Sequence, residues 1–304
     1  MKKTILNNIF LATVLFMVAC NNQPSSVSKE SMEAYTSGKL TLAVDESFKP
    51  VMVQEVKVFD SSYPNTQFDT LFLPESEVMQ QLFDGKAQMI ITTRDISPEE
   101  KKRLEAKEIF VRSMAFAKDG IAVIVNNESE DKKMTTGMVS NILQGKFARK
   151  YQIIFDNKNG SIARYVSDSI LKGASLSPDV FAVKNSDEVI DYVSKNKDAM
   201  GFIGMSQAFD PEASTGYGSF KKNITVVPLT NDTMNKFVLP YQAPIALKQY
   251  PYSRKIYFIS RIESNLATGF ANFITSEQGQ LIINKAKLVP LNVSLEIRDV
   301  EIKP

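Results

Sequence analysis

The chain of 304 residues has no histidine and a single cysteine, Cys20. Without histidine there is no Ser-His-Asp or Cys-His machinery, no His-ligated zinc, and no side chain naturally suited to proton transfer near neutral pH. A single cysteine rules out an intrachain disulfide and a Cys cluster for a metal. An excess of either charge is missing too. The 36 Lys and Arg face 34 Asp and Glu, a net charge of +2, and two of the cations are Lys2 and Lys3. Beyond residue 19 the count is therefore 34 against 34, which gives no electrostatic reason to expect nucleic acid as a partner. These absences argue against an enzyme, a metal centre or a cofactor, and leave binding as the expected activity.

What is present is an ordinary globular balance, 43% hydrophobic and 23% charged, at a length that suggests two domains or lobes. The start, MKKTILNNIFLATVLFMVAC, has two lysines, an uncharged apolar run from Ile9 to Ala19, and then Cys20. That is the layout of a secretory signal over residues 1–19, too short to span a bilayer. MVAC resembles a bacterial lipobox, with Met17 where leucine is usual. The resemblance implies that Cys20 becomes a lipid-bearing N-terminus, and several acyl chains on one residue anchor stably where a single chain does not. Residues 20–38 then read as a polar tether.

From residue 39 onwards strands and helices alternate, the pattern of α/β units. LTLAV (40–44) is a strand, and a helix opens near Pro50 and runs through VKVFD. TLFL (70–73) is a strand; PESEVMQQLFDGK (74–86) is a helix with Val78, Met79, Leu82 and Phe83 on its apolar face and Gly85 at its end. AQMIITTRD is a third strand, and SPEEKKRLEAK a helix with Ser97 as N-cap. IAVIVN, YQIIFD, VFAV and AMGFIG read as strands, interleaved with helical TTGMVSNILQGKF, SIARYVSDSILKG and SDEVIDYVSKN. ITVVPL and FVLPYQAPIALKQ read as extended, YPYSRKIYFIS as a strand, and residues 265–287 as helix broken near Ser276. Phe83, Met89, Phe202 and Phe270 are expected in the core.

One junction carries chemistry. FDNKNGSIARY (155–165) leaves a strand, turns through Asp-Asn-Lys-Asn-Gly-Ser and enters a helix. Unpaired N–H groups at such a helix start can hold an anion.

Several segments together resemble the phosphate-binding subunit of bacterial phosphate ABC transporters, a type II periplasmic binding protein family. They are LFDGKAQMIITTRDISPEEKKRL, KDGIAVIVN, VSNILQGKF, DAMGFIG, QYPYSRKIYFIS and FANFITSEQGQLIINKAKLVPL, in the family's order and spanning most of residues 39–291. The resemblance implies an α/β fold of two lobes, each a mixed sheet flanked by helices, joined by two crossover strands that act as a hinge. Lobe 1 is expected to comprise 39–125 plus 246–304, and lobe 2 residues 126–245, with the chain crossing after IAVIVN and returning around FVLPYQAPIAL. It also implies a monomeric protein of the cell envelope, facing the periplasm or the cell surface, that binds inorganic phosphate or a similar oxyanion and serves an ABC permease.

Carried over by position, the ligand-binding set is Ser47 and Phe48 in the loop after the first strand, Ser76 in LPESEV, Arg94 in TTRD, and Asn157, Gly160, Ser161 and Arg164 in the 155–165 junction. Ser47 would serve equally as a plain N-cap. Glu75 and Glu77 flank Ser76 and would repel an anion if they faced it. Arg94 brings a bidentate fork, and on a surface would simply pair with a neighbouring acid. The family's Arg…Ser-Gly-Thr loop is eroded here. With Ser161 on the family serine, Asn157 stands in place of the arginine; shifted by one, Asp156 does. Arg164 lies one turn into the helix, where it can reach back or stay exposed. The eroded loop also motivates a rival reading, a sensor or interaction lipoprotein on the same scaffold with an altered or lost ligand.

Overall fold

The computed structural model describes residues 35–210, 219–230 and 236–293. Cys20, the expected signal and most of the expected tether lie outside the described residues.

Strand β1 (Gly38–Asp45) runs parallel to β2 (Thr66–Leu73) and β3 (Met89–Thr92). Leu40, Leu42, Ala43 and Val44 are all buried, so consecutive residues are covered on both faces, as in a parallel sheet sandwiched by helices. Helix α1 (Lys49–Ser62), helix α2 (Glu75–Phe83) and helix α3 (Pro98–Glu105) fill the connections. Helix α3 opens with the reciprocal capping box that its sequence encodes: the Ser97 hydroxyl accepts from the Glu100 amide, and the Glu100 carboxylate accepts from the Ser97 amide. Gly85 closes α2 with φ +69°, a conformation that glycine adopts without strain.

Strand β4 (Val111–Val125) is 15 residues long and begins ten residues before the IAVIVN segment. Its first part, Val111–Gly120, pairs with β11 (Ser253–Arg261) and with β12 (Val289–Pro290); its last part, Ile121–Val125, pairs antiparallel with β8 (Ala199–Gly204) and with β9 (Thr225–Val226). Beyond β8 come β6 (Gln152–Phe155) and β7 (Val180–Ala182), parallel to one another. The sheet therefore reads β2-β1-β3-β11-β4-β8-β6-β7. Met134–Thr135 (β5) and Leu229–Thr230 (β10) form a separate small pair. Helices α4 (Thr136–Leu143), α5 (Ser161–Tyr165, continued by a π turn to Leu171), α6 (Ser186–Lys195) and the short α7 (Met205–Ala208) flank the second half.

FVLPYQAPIALKQ, expected as extended, instead contains the short helix α8 (Gln242–Ala246). Within the segment Val238 makes an isolated antiparallel bridge to Leu229. Pro244 sits in the first turn, where its missing N–H costs nothing. Ile245 packs so closely on Gly120 of β4 that a Cβ there would lie 2.6 Å from its Cδ1. This tertiary contact is invisible in a local pattern. Helices α9 (Asn265–Thr275) and α10 (Glu277–Lys285) do break at Ser276, which caps the second of them.

Phe59, Phe68, Phe270 and Phe273 form an aromatic cluster with centroids 4.9 to 5.8 Å apart for the Phe59–Phe68, Phe59–Phe270, Phe59–Phe273 and Phe68–Phe270 pairs. Met89, Phe202 and Phe270 are buried, whereas Phe83 is half-buried beneath Arg103. One residue on α1 breaks the apolar pattern. Glu55 is fully buried with neither carboxylate oxygen partnered, and burial pushes its pKa up to about 9. A raised carboxyl pKa means that the folded state holds a proton the unfolded chain releases, so stability falls as pH rises from about 4.5 to about 9. Glu55→Met is expected to stabilise the protein at pH 8 by on the order of 3 kcal/mol, with the gain shrinking as pH falls towards 4.5 and constant below it. Urea titrations at both pH values test this, and an unchanged midpoint at pH 8 would refute it.

Candidate functional site

The carboxyl ends of β1, β2, β3 and β6 each lead into a loop the sequence singles out: DESFKP, PESEV, TTRD and DNKNG. Loops at the carboxyl ends of parallel strands are where open α/β sheets bind ligands. Two ion pairs tie these loops together.

The first is centred on Arg254 of β11, which is almost wholly buried. Its Nε donates to Asp119 Oδ2 at 3.0 Å, Nη2 lies 2.9 Å from the same oxygen, and Nη1 donates to Ser161 Oγ at 2.7 Å. Its guanidinium carbon stands 5.3 Å from the centre of the Phe48 ring, within cation–π range. Asp119 also accepts from the Met205 amide. Asp45, at the end of β1, accepts from the Ser47 amide at 3.0 Å. Burial raises the pKa of Asp45 and of Asp119 against the pull of Arg254. Asp156 is pushed up to about 7, by burial first and then by the charges of Asp45 and Glu46.

The second is centred on Glu75, at the start of α2. Its Oε1 accepts from Thr92 Oγ1 at 2.8 Å, from the Thr93 amide at 2.9 Å and from Thr93 Oγ1 at 2.7 Å. Arg164 of α5 donates through Nε to Glu75 Oε2 at 2.5 Å, and through Nη2 to Thr93 Oγ1 at 2.9 Å. Burial alone would raise the Glu75 pKa; the bonds from Arg164 and Thr93 outweigh it and bring it down to about 2. Glu75 thus occupies a donor set of the kind that holds an oxyanion.

Seven of the eight expected ligand residues fall into three groups. Ser47 lines a cavity of about 600 Å³ together with Glu46, Asp156, Ser186 and Gln207. Ser76, Arg94, Gly160 and Arg164 line a second cavity of about 600 Å³ with Lys158 and Glu75. Phe48 and Ser161 are buried against Arg254. Arg94 is engaged within its own loop region, bidentate to Glu100 with both bonds at 2.7 Å. Asn157 orders the turn, its Oδ1 accepting from the Asn159 amide at 2.9 Å. Gly160 is the N-cap of α5 and Ser161 its first residue. The Ser76 amide donates to the Asn159 carbonyl at 3.3 Å, joining the loop after β2 to the loop after β6. Among the described residues no group of three or more Asp, Glu or Cys side chains is placed to hold a metal.

Sequence reasoning did not nominate Arg254, Asp119 or Glu75 as site residues. Arg254 and Asp119 stand in the segments YPYSR and KDGIAVIVN, but their partnership spans 135 residues. The only local signal is a charge beside a run that the fold buries on both faces.

The proteins that the chain is similar to include phosphate-binding proteins. It is 22% identical over 303 residues to the phosphate-binding protein PstS of Borreliella burgdorferi, covering 94% of this chain and 97% of that protein. It is 23% identical over 219 residues to the phosphate-binding protein PstS of Staphylococcus epidermidis, of which it spans 63% of the length. A substrate-binding protein of Clostridium perfringens, solved with bound phosphate, superposes with a TM-score of 0.69 at 20% identity, covering 84% of this chain and all of that one. That likeness establishes the two-lobe type II periplasmic binding protein fold. The PBP superfamily domain matches residues 29–278, and the chain belongs to that family.

Proposed function

We propose that this protein captures phosphate or a related oxyanion in a cleft between lobe 1 (39–125 plus 246–304) and lobe 2 (126–245) and delivers it to an ABC permease. It does so as a monomer anchored to the cell envelope through lipid on Cys20. Binding, not chemistry, is its task. The observation that carries the reading is the meeting of the loops after β1, β2 and β3 with the start of α5, through Arg254–Ser161 and Glu75–Arg164. Relatives named as phosphate-binding proteins support the choice of ligand. A ligand favours closure only through contacts it makes better in the closed form, and Ser47, Ser76 and Arg94 on one side with Asn157, Gly160 and Ser161 on the other supply groups from both lobes.

The test is calorimetric titration of ligand-stripped protein with phosphate, with sulfate as control, at pH 6 and pH 8. Phosphate is expected to bind and sulfate to bind at least about tenfold more weakly, and Arg94→Ala to weaken phosphate by about tenfold or more. Affinity is expected to be higher at pH 6. Asp156, with a pKa raised to about 7, is mostly neutral there and charged at pH 8, where it repels an anion. No heat with either anion at either pH would end the phosphate reading.

A further inference from the structure

Glu75 is the first residue of α2, where an acid ordinarily faces the amides of its own helix. Its carboxylate instead reaches across to the end of β3 and to α5. Oε1 accepts from Thr92 Oγ1, from the Thr93 amide and hydroxyl, and from Arg164 Nη2 at 3.3 Å, while Oε2 accepts from Arg164 Nε. A main-chain amide, two hydroxyls and an arginine fork are donors of the types that hold an oxyanion. The segments that supply them, TTRD and the 155–165 junction, are two of those expected to hold the ligand.

In the division into lobes given above, Glu75 and Thr93 belong to lobe 1 and Arg164 to lobe 2, so the carboxylate bridges the lobes as a bound anion does. Uncharged hydrogen bonds cross between them as well: the Ser76 amide to the Asn159 carbonyl at 3.3 Å, Gln207 Nε2 to the Ser47 carbonyl at 3.1 Å, and the Tyr165 hydroxyl to the Ser253 carbonyl at 3.4 Å. Among these contacts the Glu75–Arg164 pair alone joins opposite charges. The Glu75 side chain is buried and that of Arg164 about one-third exposed, and both border the cavity that Ser76 and Lys158 line. An anion entering this cavity meets Arg164 from outside while Glu75 holds it from within. With its pKa brought down to about 2, Glu75 stays charged at neutral pH, so proton uptake does not release it there and only displacement can.

We propose that Glu75 is an internal surrogate for the ligand: its carboxylate occupies donors of Thr93 and Arg164 that an incoming oxyanion takes over, and the oxyanion binds by displacing it. The inference rests on the solute-binding reading above and names the residue that sets the affinity of that site. The apparent affinity of such a site is its intrinsic affinity reduced by the fraction of molecules whose donors are free. A tethered carboxylate also outcompetes a carboxylate in solution, because its effective concentration is high. A phosphate dianion carries more charge than either and attracts the guanidinium more strongly.

The experiment is calorimetric titration of the ligand-stripped parent, Glu75→Gln and Glu75→Ala with inorganic phosphate at pH 7, with and without formate. A thermal melt of each protein confirms folding, Glu75→Gln being the milder of the two changes. Both variants are expected to bind phosphate about tenfold tighter than the parent. Formate is a free carboxylate small enough for the space that alanine leaves. It is expected to weaken phosphate binding to Glu75→Ala several-fold by competing for the vacated donors, and to leave binding by the parent unchanged. Folded variants that bind phosphate no tighter than the parent would overturn this inference and leave the solute-binding reading standing, as would formate without effect on Glu75→Ala. No phosphate binding by any of the three proteins would overturn both.

Discussion

Arg254→Gln is expected to destabilise the protein by about 3–5 kcal/mol, the range for breaking one side of a buried ion pair. The cost comes less from the lost attraction than from what is left behind. Asp119 is wholly buried, and in the variant its carboxylate would face the remaining neutral groups without a countercharge. Ser161 Oγ would lose its donor, and Phe48 the cation over its ring. Urea unfolding at pH 7 measures the loss, and a change under 1 kcal/mol would show that the pair is not structurally important. The pair Arg254→Met with Asp119→Leu separates stability from binding. Replacing both charges by apolar groups is often neutral for stability, so the double variant is expected to recover most of the loss. Its phosphate affinity should still be reduced, because the bond that holds Ser161 in place is gone.

Glu75→Gln is the second large effect, and it depends on pH. The carboxyl of Glu75 has its pKa brought down to about 2 from an ordinary 4.5. A depressed carboxyl pKa contributes stability that is fully present above 4.5 and lost as pH falls through 2. Its partner Arg164 is about one-third exposed, so solvent screens part of the attraction. The variant is expected to be about 2 kcal/mol less stable than the parent at pH 7, with the difference shrinking from about pH 4.5 down to about pH 2. Urea midpoints measured from pH 7 to pH 2 decide it: a difference that stays constant with pH would mean that the carboxylate charge is not what Arg164 and Thr93 recognise.

Most of the framework could be read locally. Ser97 three residues ahead of Glu100, Gly85 after Phe83, and Ser276 between two apolar periodicities each announce a helix boundary, and each stands where expected. These signals act within one turn of chain. The first part of β4 was harder, because Arg112 and the partly exposed residues through Ala115 mask a strand whose identity is set by β11 across from it. The site was legible only as a set of loops. FDNKNGSIARY does begin a helix at Ser161, but its serine is addressed by Arg254 from a strand 93 residues away, and its arginine by Glu75, 89 residues away. Position along the chain identifies which residues reach the site. It does not reveal which of them neutralise one another there.

The fifteen residues of β4 belong to both halves of the sheet, and this fixes an order of events in the life of the chain. Residues 111–120 need β11, which is not made until residue 261, while residues 121–125 need β8 and β9, complete by residue 226. A chain emerging from its N-terminus can therefore assemble its middle first, whereas the half that is started first is finished last. Contacts of such long sequence separation form slowly. Until the last sixty residues or so are released, β3 lacks its β11 neighbour and its edge stays open. The interval before β11 arrives is the period when an open strand edge is most prone to pairing with another chain.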